Sequence, residues 1–324
     1  MPSYFPLTPG QRGEAIRDLQ RRLGAAGHHP AGAEAGVFCD ATADAVRAFQ
    51  AARGLRTDGV CDEHTWLALV EASWTLGDRA LYLTSPNLRG DDVAELQTRL
   101  ARLGFDPGRV DGIFGPRTAR AVDEFQVNCG LRADAVCGID TVRAILRVSG
   151  QTGDGPGIAA VREREALRTG PGSVADCRLV VGQFGGLSSL TRLLARELRQ
   201  RGAAVMTLDE PDAVAQALAA NQFSADVYLG FESRPESPTV VHFYRVPTFE
   251  SLGGRTLAEE LAAGLAAVPG LEPQVEGMRL PVLRETRMPA VLVTVGAVRQ
   301  TVDAAPLVVD QVLRAIELWI SRAR

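Results

Sequence analysis

Side chains able to bind a metal ion or attack a substrate are scarce in the second half of this sequence. The stretch from Cys177 to Gly186, CRLVVGQFGG, predicts a buried strand that ends in a double-glycine turn, with a helix following at about 188–201. A strand, a turn and a helix in this order place a site at the carboxyl end of the strand. Gln183 and Phe184 occupy that end, and neither is a residue type that binds catalytic zinc.

The other candidate catalytic groups in this half are isolated from one another in the sequence. His242 lies in the middle of the strand pattern VVHFYRV, where we expect a packed or edge histidine rather than a ligand. Cys177 has no histidine near it, and Ser188 and Ser189 follow the glycines without a G-x-S-x-G frame. Glu232 could act only as a single carboxylate, which is a poor catalyst for cleaving a stable amide.

Strand and helix patterns alternate around these residues. Strands are predicted at 178–182, 203–208, 226–231, 240–246 and 290–295. Helices are predicted at 188–201, 211–221, 254–267 and 305–322. Such alternation predicts an α/β domain over residues 176–324, with a mixed sheet and helices on both faces.

Length, charge and cysteine content narrow the class of protein. A chain of 324 residues predicts more than one domain, and a net charge of −4 gives no reason to expect a nucleic-acid partner. The amino terminus lacks the regions of a signal peptide, and no run of about 18 apolar residues occurs, so we expect a cytoplasmic protein without membrane insertion. The five cysteines fit no zinc or redox spacing, and we expect free, buried thiols. They are Cys39, Cys61, Cys129, Cys137 and Cys177.

An internal repeat fills the first half of the chain. The segment 13–65 recurs as 90–141 with the same spacing, apart from a one-residue insertion in the first copy, so that Gln20 falls on Gln97 and Phe49 on Phe125. Apolar residues at helical spacing predict three short helices in each copy. We therefore expect two all-α repeats, at residues 1–76 and 77–150.

The repeat pattern, GxxVxxLQxxL followed by DGxFGxxTxxAVxxFQ, resembles the peptidoglycan-binding three-helix domain. The second copy matches closely, at Asp111, Gly112, Phe114, Gly115, Thr118, Phe125 and Gln126. The first copy departs from the pattern, with Ala35 for the aspartate and Cys39 for the glycine. In that family a shallow groove takes up cell-wall stem peptide, so the resemblance implies a muropeptide ligand.

The matched polar residues of the repeats have a second interpretation, which we favour. Most matched positions are caps, turns or core residues. Gln20, Thr42, Gln97 and Thr118 are therefore expected to form buried hydrogen bonds within turns.

Residues 151–175 have the glycine, serine and proline content of a linker. Within it, Ile158 to Arg168 predicts a short exposed helix of mixed charge. This helix could dock between the domains or act as a solvated spacer, and the spacer is the preferred interpretation.

The order of elements in residues 176–324 resembles the zinc-dependent N-acetylmuramoyl-L-alanine amidases of the amidase-3 type. Pro289 to Val293 (PAVLV), followed by Val295 and Gly296, is nearly identical to that family's strand motif PAVLVExGF. The resemblance implies the amidase fold. In the family, two histidine zinc ligands and a catalytic glutamate lie at strand ends, and a glutamate in the helix after the first strand is the remaining zinc ligand.

The family's ligands and catalytic glutamate are replaced in this chain. Phe184 and Glu232 stand at the two histidine positions, Thr294 stands for the catalytic glutamate, and 187–190 contains no carboxylate for the remaining ligand. The resemblance thus implies a degenerate site with no catalytic residue, no cofactor and no bound metal, zinc being absent. Without the metal nothing lowers the pKa of water to ~7, which is how such a site makes its nucleophile.

Three arginines are expected around the emptied site: Arg284, Arg287 and Arg299. Arginines there could hold a carboxylate or phosphate through paired hydrogen bonds. The alternative is that they are ordinary surface residues.

Over its whole length the chain is similar to the CwlM-type amidase-like regulators. That resemblance implies a non-catalytic regulator or adaptor of cell-wall precursor synthesis that contacts a protein partner, a muropeptide or both. One alternative is an active zinc N-acetylmuramoyl-L-alanine amidase. The other is a peptidoglycan-binding scaffold in which the α/β domain is only structural.

Overall fold

The computed structural model describes residues 5–149, 158–235, 237–247, 249–296 and 298–322. Its contacts divide the chain into two compact units, Met1–Val161 and Arg162–Arg324. Helices of the two repeats form the first unit, and the second combines strands with helices. This arrangement confirms the expected fold class, two all-α repeats followed by an α/β domain. Among the described residues, no helix is long and apolar enough to cross a bilayer.

Each repeat consists of three short helices around a small apolar core. The first repeat contains α1 (Glu14–Ala25), α2 (Asp40–Arg53) and α3 (Glu63–Glu71). The second contains α4 (Asp91–Arg102), α5 (Pro116–Asn128) and α6 (Ile139–Ser149). Leu19 and Phe49 are fully buried in the first core, and Leu96 and Phe125 take the same places in the second. The apolar residues whose spacing predicted the helices are therefore the residues that pack in the two cores.

Glycines in left-handed backbone end the helices where the repeat pattern requires them. Gly54, the carboxyl-terminal cap of α2, has a φ of 65°, and its equivalent Gly130 has a φ of 67°. Only glycine adopts this conformation without a steric penalty. Gly27 and Gly104, with φ of 86° and 91°, make the matching pair after α1 and α4.

The second unit begins within α7 (Ile158–Arg168) and then alternates strands with helices. Its strands are β1 (Arg178–Phe184), β2 (Ala204–Leu208), β3 (Val227–Ser233), β4 (Val240–Val246), β5 (Phe249–Glu250), β6 (Gln274–Met278) and β7 (Ala290–Val295). The helices that follow α7 are α8 (Ser188–Gln200), α9 (Ala213–Gln222), α10 (Leu252–Leu265), α11 (Pro281–Glu285), α12 (Val298–Asp303) and α13 (Ala305–Arg322).

The strands form one mixed sheet with helices on both faces, as the sequence predicts. Strands β2, β1, β3 and β7 are parallel neighbours in that order, and β4 pairs antiparallel with β7. Strand β6 runs parallel to β4, and β5 pairs with the end of β4. Alternate strand residues pack under α8, α10 and α13 on one face, and under α9 and α11 on the other. Burial on both faces explains the continuous apolar runs of β1 and β7.

Helix α7 forms where it was predicted, but it is not a solvated spacer. The Glu163 carboxylate accepts hydrogen bonds from Ser251 Oγ at 2.7 Å and from the Gly253 amide at 3.2 Å. Leu167 packs against the core beneath α10. Most of α7 therefore belongs to the second unit, which starts at Arg162 rather than at residue 176. Residues 150–157 of the predicted linker lie outside the described residues.

Candidate functional site

The structure brings the three degenerate positions together in one row across the sheet. Phe184 on β1 is paired in register with Glu232 on β3, and Glu232 is paired with Thr294 on β7. The strands are parallel, so all three residues lie near the carboxyl ends at the same sheet edge. The chain leaves β1 toward β2 on one side and returns as β3 on the other, so this edge is also the switch point where α/β proteins bind ligands.

A chain of polar side chains, here called the polar chain, runs from buried Glu232 through buried Thr294 and His242 to the exposed Glu276. The Thr294 hydroxyl donates to Glu232 Oε1, and His242 Nε2 lies 3.0 Å from Thr294 Oγ1. A hydroxyl has one proton, so His242 Nε2 must be the donor in the second hydrogen bond. His242 Nδ1 lies 3.6 Å from Glu276 Oε2, and Arg234 Nε lies 3.5 Å from the second oxygen of Glu232. The polar chain therefore crosses β3, β7, β4 and β6.

Burial makes these contacts matter for stability. Glu232 is 7% exposed, His242 4% and Thr294 2%. Buried polar atoms are tolerated only when they are hydrogen-bonded, and removing one partner costs about 1–3 kcal/mol. The hydrogen bonds of the polar chain thus allow Glu232, Thr294 and His242 to be buried on the otherwise apolar sheet face under α9 and α11.

The residues at these strand ends do not fit a catalytic zinc ion. Catalytic zinc takes three protein ligands from histidine, cysteine or carboxylate groups and leaves one position open for water. No cluster of three such groups exists among the residues that the structure describes. Phe184 packs on an apolar cluster, and the carboxylate of Glu232 already contacts Thr294 and Arg234.

Described parts of the β3–β4 loop lie against the end of β7. A methyl group added at Gly296, just after β7, would lie 1.6 Å from the carbonyl oxygen of Ser237 in the β3–β4 loop. The Arg234 amide donates to the Val295 carbonyl at 2.9 Å and fixes that loop against the end of β7. At the end of β1, a methyl group on Gly186 would lie 3.4 Å from Ser233 Cβ. The β3–β4 loop therefore packs directly on the strand ends.

Buried amides beside the row also form hydrogen bonds within the fold, and no local sequence pattern predicts two of the residues involved, Gln216 and Tyr228. The Gln183 amide donates to Ser188 Oγ at 3.0 Å and to the Asp209 carboxylate. On the other sheet face, Tyr228 donates to Gln216 Oε1 at 2.7 Å, and burial raises the pKa of the Tyr228 phenol. Both Gln216 and Tyr228 depend on long-range strand contacts, which local sequence patterns do not reveal.

A groove of about 480 Å3 lies at the other end of β1. Residues 172–175, which precede β1, line it together with the Arg201–Glu317 ion pair. Phe184 is at the opposite end of the same strand, so this groove is separate from the row of degenerate positions.

The expectation that Arg284 and Arg287 surround the emptied site is wrong. Both precede β7, and the Arg287 amide donates to Asn221 Oδ1 at the end of α9. That segment enters β7 at its amino end, next to the start of β3, whereas Thr294 is near the carboxyl end. Arg299, on α12 just after β7, is exposed at the edge that contains the row.

In the repeats, four glutamines make the same arrangement, here called the glutamine clasp. Gln97 Nε2 donates to Asp111 Oδ1, to the Ile113 carbonyl and to Thr118 Oγ1, at 3.0, 3.0 and 3.2 Å. Its Oε1 accepts from the amides of Asp111 and Gly112. Each clasp thus ties a helix to the turn that follows it. The other three are Gln20, Gln50 and Gln126.

The clasps account for the matched polar residues of the repeats. Gln20, Thr42, Gln97 and Thr118 all bond within turns, as the favoured interpretation predicts. In the first repeat Ala35 replaces the aspartate, and Gln20 bonds the carbonyls of residues 34 and 37 instead. Phe114 and Phe125 are buried in the core of the second repeat. These residues hold the repeat together from inside.

Three of the five cysteines are buried, as expected, but Cys129 is exposed and Cys39 is half-buried. All five are free thiols. Burial raises the pKa of Cys61, Cys137 and Cys177 to about 12, so these thiols are un-ionised and unreactive at neutral pH.

Comparison with known proteins finds similar sequences for the repeats and for the whole chain. The family described as "Putative peptidoglycan binding domain" matches residues 12–69 and 89–145. The N-acetylmuramoyl-L-alanine amidase CwlM of Mycobacterium tuberculosis is 34% identical, with 96% of this chain and 86% of that protein covered. The N-acetylmuramoyl-L-alanine amidase CwlL of Bacillus licheniformis is 33% identical over 42% of this chain and 43% of its own length. A solved structure, that of the amidase Ami1 from Mycobacterium smegmatis, is similar with a TM-score of 0.38 and 14% identity, and it covers 45% of this chain and 97% of Ami1.

Proposed function

This chain belongs to the N-acetylmuramoyl-L-alanine amidase family of CwlM, and from that premise we propose that it is a non-catalytic member of the family. It acts as a regulator or adaptor of cell-wall precursor synthesis in the cytoplasm. It works through contacts with a protein partner, a muropeptide or both. Neither a metal ion nor another cofactor takes part.

The single observation that carries this proposal is the polar chain at the strand ends. Of the three degenerate positions, only Glu232 carries a group that zinc uses, and its carboxylate is buried against Thr294 and Arg234. A general base must reach the proton of a substrate or water, and a carboxylate already engaged under a packed loop is badly placed to do so. The geometry favours a structural role for the row.

The repeats supply the surface for a partner. Their clasps are internal, so recognition falls to exposed side chains, and large apolar ones concentrate in the second repeat. Ile139 is 54% exposed where the first repeat has Glu63, and Val127 is 62% exposed where the first repeat has Ala51. Exposed apolar surface of this kind favours a binding role. The five free thiols suit the reducing cytoplasm in which precursor synthesis takes place.

An active zinc amidase is the second candidate, and the activity in the names of the relatives favours it. An active enzyme would need ligands from outside the row. A scaffold that binds muropeptide through the repeats is a further alternative, favoured by the family match of residues 12–69 and 89–145.

One experiment separates these functions. Full-length protein is incubated with zinc and a defined muropeptide, and free stem peptide is measured by mass spectrometry while binding is followed by calorimetry. We expect no release of stem peptide above that of a zinc-only blank, with a secreted family amidase as the positive control. Release that depends on the protein would restore the enzyme. Absence of binding at millimolar muropeptide would leave a protein partner as the ligand.

A further inference from the structure

Strand β2 forms one border of the sheet, and among the described strands it pairs only with β1. The Ala204 amide donates to the carbonyl of Cys177, just before β1, at 3.0 Å. Backbone groups of successive strand residues point in opposite directions, so the backbone of Met206 also faces β1. The amides and carbonyls of Val205 and Thr207 therefore point away from the sheet.

Side chains at this border agree with that direction. Arg199 Nη2, at the end of α8, donates to the Val205 carbonyl at 2.9 Å. A carbonyl oxygen has two lone pairs, so it can accept a second hydrogen bond beside this one. Ala204 and Thr207 are both exposed. The outer side of β2 is therefore open to a further strand.

Strand β2 lacks the features that usually keep a sheet border from pairing with another chain. Such borders are protected by charged side chains, proline residues or bulges. The sequence of β2, AVMTL, contains no charge and no proline, and its register with β1 is regular. At the opposite border, β6 carries Glu276 at its centre, with a side chain that is 58% exposed. The border at β2 is thus the better suited of the two to accept a strand.

The side of α8 next to this border is basic. Arg192 and Arg199 are seven residues apart, about two helical turns, and therefore lie on the same side of α8. Both are exposed. Arg192 donates to the Ser188 carbonyl of its own helix and Arg199 to the Val205 carbonyl, and within the described part of the chain neither forms an ion pair with a carboxylate. Two positive charges beside β2 are thus available to a partner.

We propose that β2 pairs with an extended segment of a partner protein in which acidic side chains alternate with apolar ones. The backbone of the segment bonds to Val205 and Thr207, and its carboxylates pair with Arg192 and Arg199. The Val205 side chain packs on the face of the sheet that α8 covers, and Met206 packs on the other face. The apolar residues of the segment therefore extend the face of Met206.

The same features argue against other occupants. A nucleic acid would offer phosphates to the arginines, but it lacks the alternating amides and carbonyls that a strand border binds. Two-fold pairing of β2 with a second copy would put both α8 helices on one face, with Arg192 and Arg199 opposite like charges. Asp209 and Glu210 follow β2, so the acidic residues of the segment belong beside α8 and not beyond the end of β2. The border is separate from the row of degenerate positions, so its role does not depend on whether the chain is catalytic.

Amide hydrogen exchange of the full-length protein, measured for each residue by NMR, tests the proposal. The probe is a short synthetic peptide in which glutamate alternates with valine, and the control peptide has lysine in place of glutamate. With about 1 mM glutamate peptide we expect the Val205 and Thr207 amides to exchange about tenfold more slowly, which corresponds to a Kd of about 0.1 mM. The Met206 amide, which faces β1, should change by less than about twofold, and so should all three amides with the lysine peptide.

Two variants separate strand pairing from charge. Thr207→Pro removes an outward amide at a border position, where proline is compatible with the fold, and should abolish the protection of Val205. The double variant Arg192→Gln with Arg199→Gln should weaken binding of the glutamate peptide about fivefold without changing the fold. Arg314→Gln is the matched control, because Arg314 is an exposed arginine that forms its ion pair within α13. It should change binding by less than about twofold.

Four results would overturn the proposal. Slow exchange of Val205 and Thr207 in the free protein would show that the border is already covered. Protection that rises with protein concentration in the absence of peptide would make a second copy the occupant. Absence of protection by the glutamate peptide, or equal protection by both peptides, would remove the acidic segment. Undiminished binding in the double arginine variant would show that α8 does not select the charge, and this result can be obtained even if Thr207→Pro does not fold.

Discussion

The two units use buried polar side chains in different ways. In the repeats one arrangement occurs four times, with a glutamine tying each helix to the turn that follows it. In the α/β unit a single polar chain joins four strands, and two of its members, Glu232 and Thr294, stand at positions that the family resemblance assigns to a zinc ligand and to the catalytic glutamate. The clasp is local and repeated, whereas the polar chain is long-range and occurs once.

If the chain is non-catalytic, as we propose, the difference shows how a site can lose its metal and keep its frame. A buried sheet end cannot leave polar groups unpaired, so a lost ligand set must be replaced by apolar groups or by groups that satisfy one another. Phe184 is the first kind of replacement, and Glu232 with Thr294 is the second. The clasps instead keep a glutamine paired with a threonine in both repeats.

The largest effect is expected for the clasp of the second repeat. Gln97→Leu removes a buried amide that serves five partners, and we expect the free energy of unfolding to fall by about 3 kcal/mol. Urea unfolding of the full-length protein measures it. Arg102→Leu, on an exposed position of the same helix, is the control and should change stability by less than about 0.5 kcal/mol. A loss below about 1 kcal/mol in Gln97→Leu would show that the clasp is not a main stabilising contact.

Breaking the polar chain should cost somewhat less. Thr294→Val keeps the shape of the side chain but leaves Glu232 and His242 without the hydroxyl between them, so we expect a loss of about 2 kcal/mol. Thr294→Ser keeps the hydroxyl and should lose about half as much or less. Tryptophan fluorescence follows urea unfolding, and Trp319 is the tryptophan of this unit. Equal stability of the valine variant and the wild type would mean that the polar chain does not support the sheet.

Placing a histidine at one of the degenerate positions should have a small effect on stability and none on activity. Phe184→His places an imidazole where the family has its first zinc ligand. Phe184 is only partly buried, so the expected cost is about 1 kcal/mol. We expect neither zinc binding nor release of stem peptide, because Glu232 and Thr294 remain engaged with each other. Measurable amidase activity in this single variant would contradict our assignment of the row.

The smallest effect concerns a difference between the repeats. Ala135 has a φ of 56° at the position where the first repeat has Gly59, with a φ of 76°. The left-handed conformation costs a non-glycine residue about 1–2 kcal/mol, a cost that glycine avoids. The greater conformational entropy of glycine in the unfolded state offsets part of this stabilisation. Ala135→Gly should therefore stabilise the protein by about 0.5 kcal/mol in thermal or urea unfolding. Destabilisation by Ala135→Gly would show that the alanine side chain makes a contact worth more than the strain.

Local patterns predict most of the fold. The five predicted strands and the four predicted helices of the second half all form within a few residues of their expected bounds. Strand β6 was missed because Gln274, Val275 and Glu276 are exposed at the sheet edge, where a buried apolar run is not needed.

The site was predicted in its positions but not in its contacts. Family resemblance assigned Phe184, Glu232 and Thr294, and strand register brings them together. The partner of Thr294, His242, comes from β4, which runs antiparallel to β7, and no local pattern predicts that pairing. Arg287 was misplaced because nearness in sequence to a strand does not tell which end of the sheet a residue lies at.

Zinc content of the purified full-length protein tests the central claim, that the row at the strand ends is structural and not a metal site. The protein is loaded with excess zinc, free metal is removed, and bound zinc is measured by atomic spectroscopy, with Thr294→Val treated in parallel. We predict no stoichiometric zinc in either sample. Zinc bound near one equivalent in the wild type would mean that ligands outside the row complete a metal site, and the enzymatic function would return.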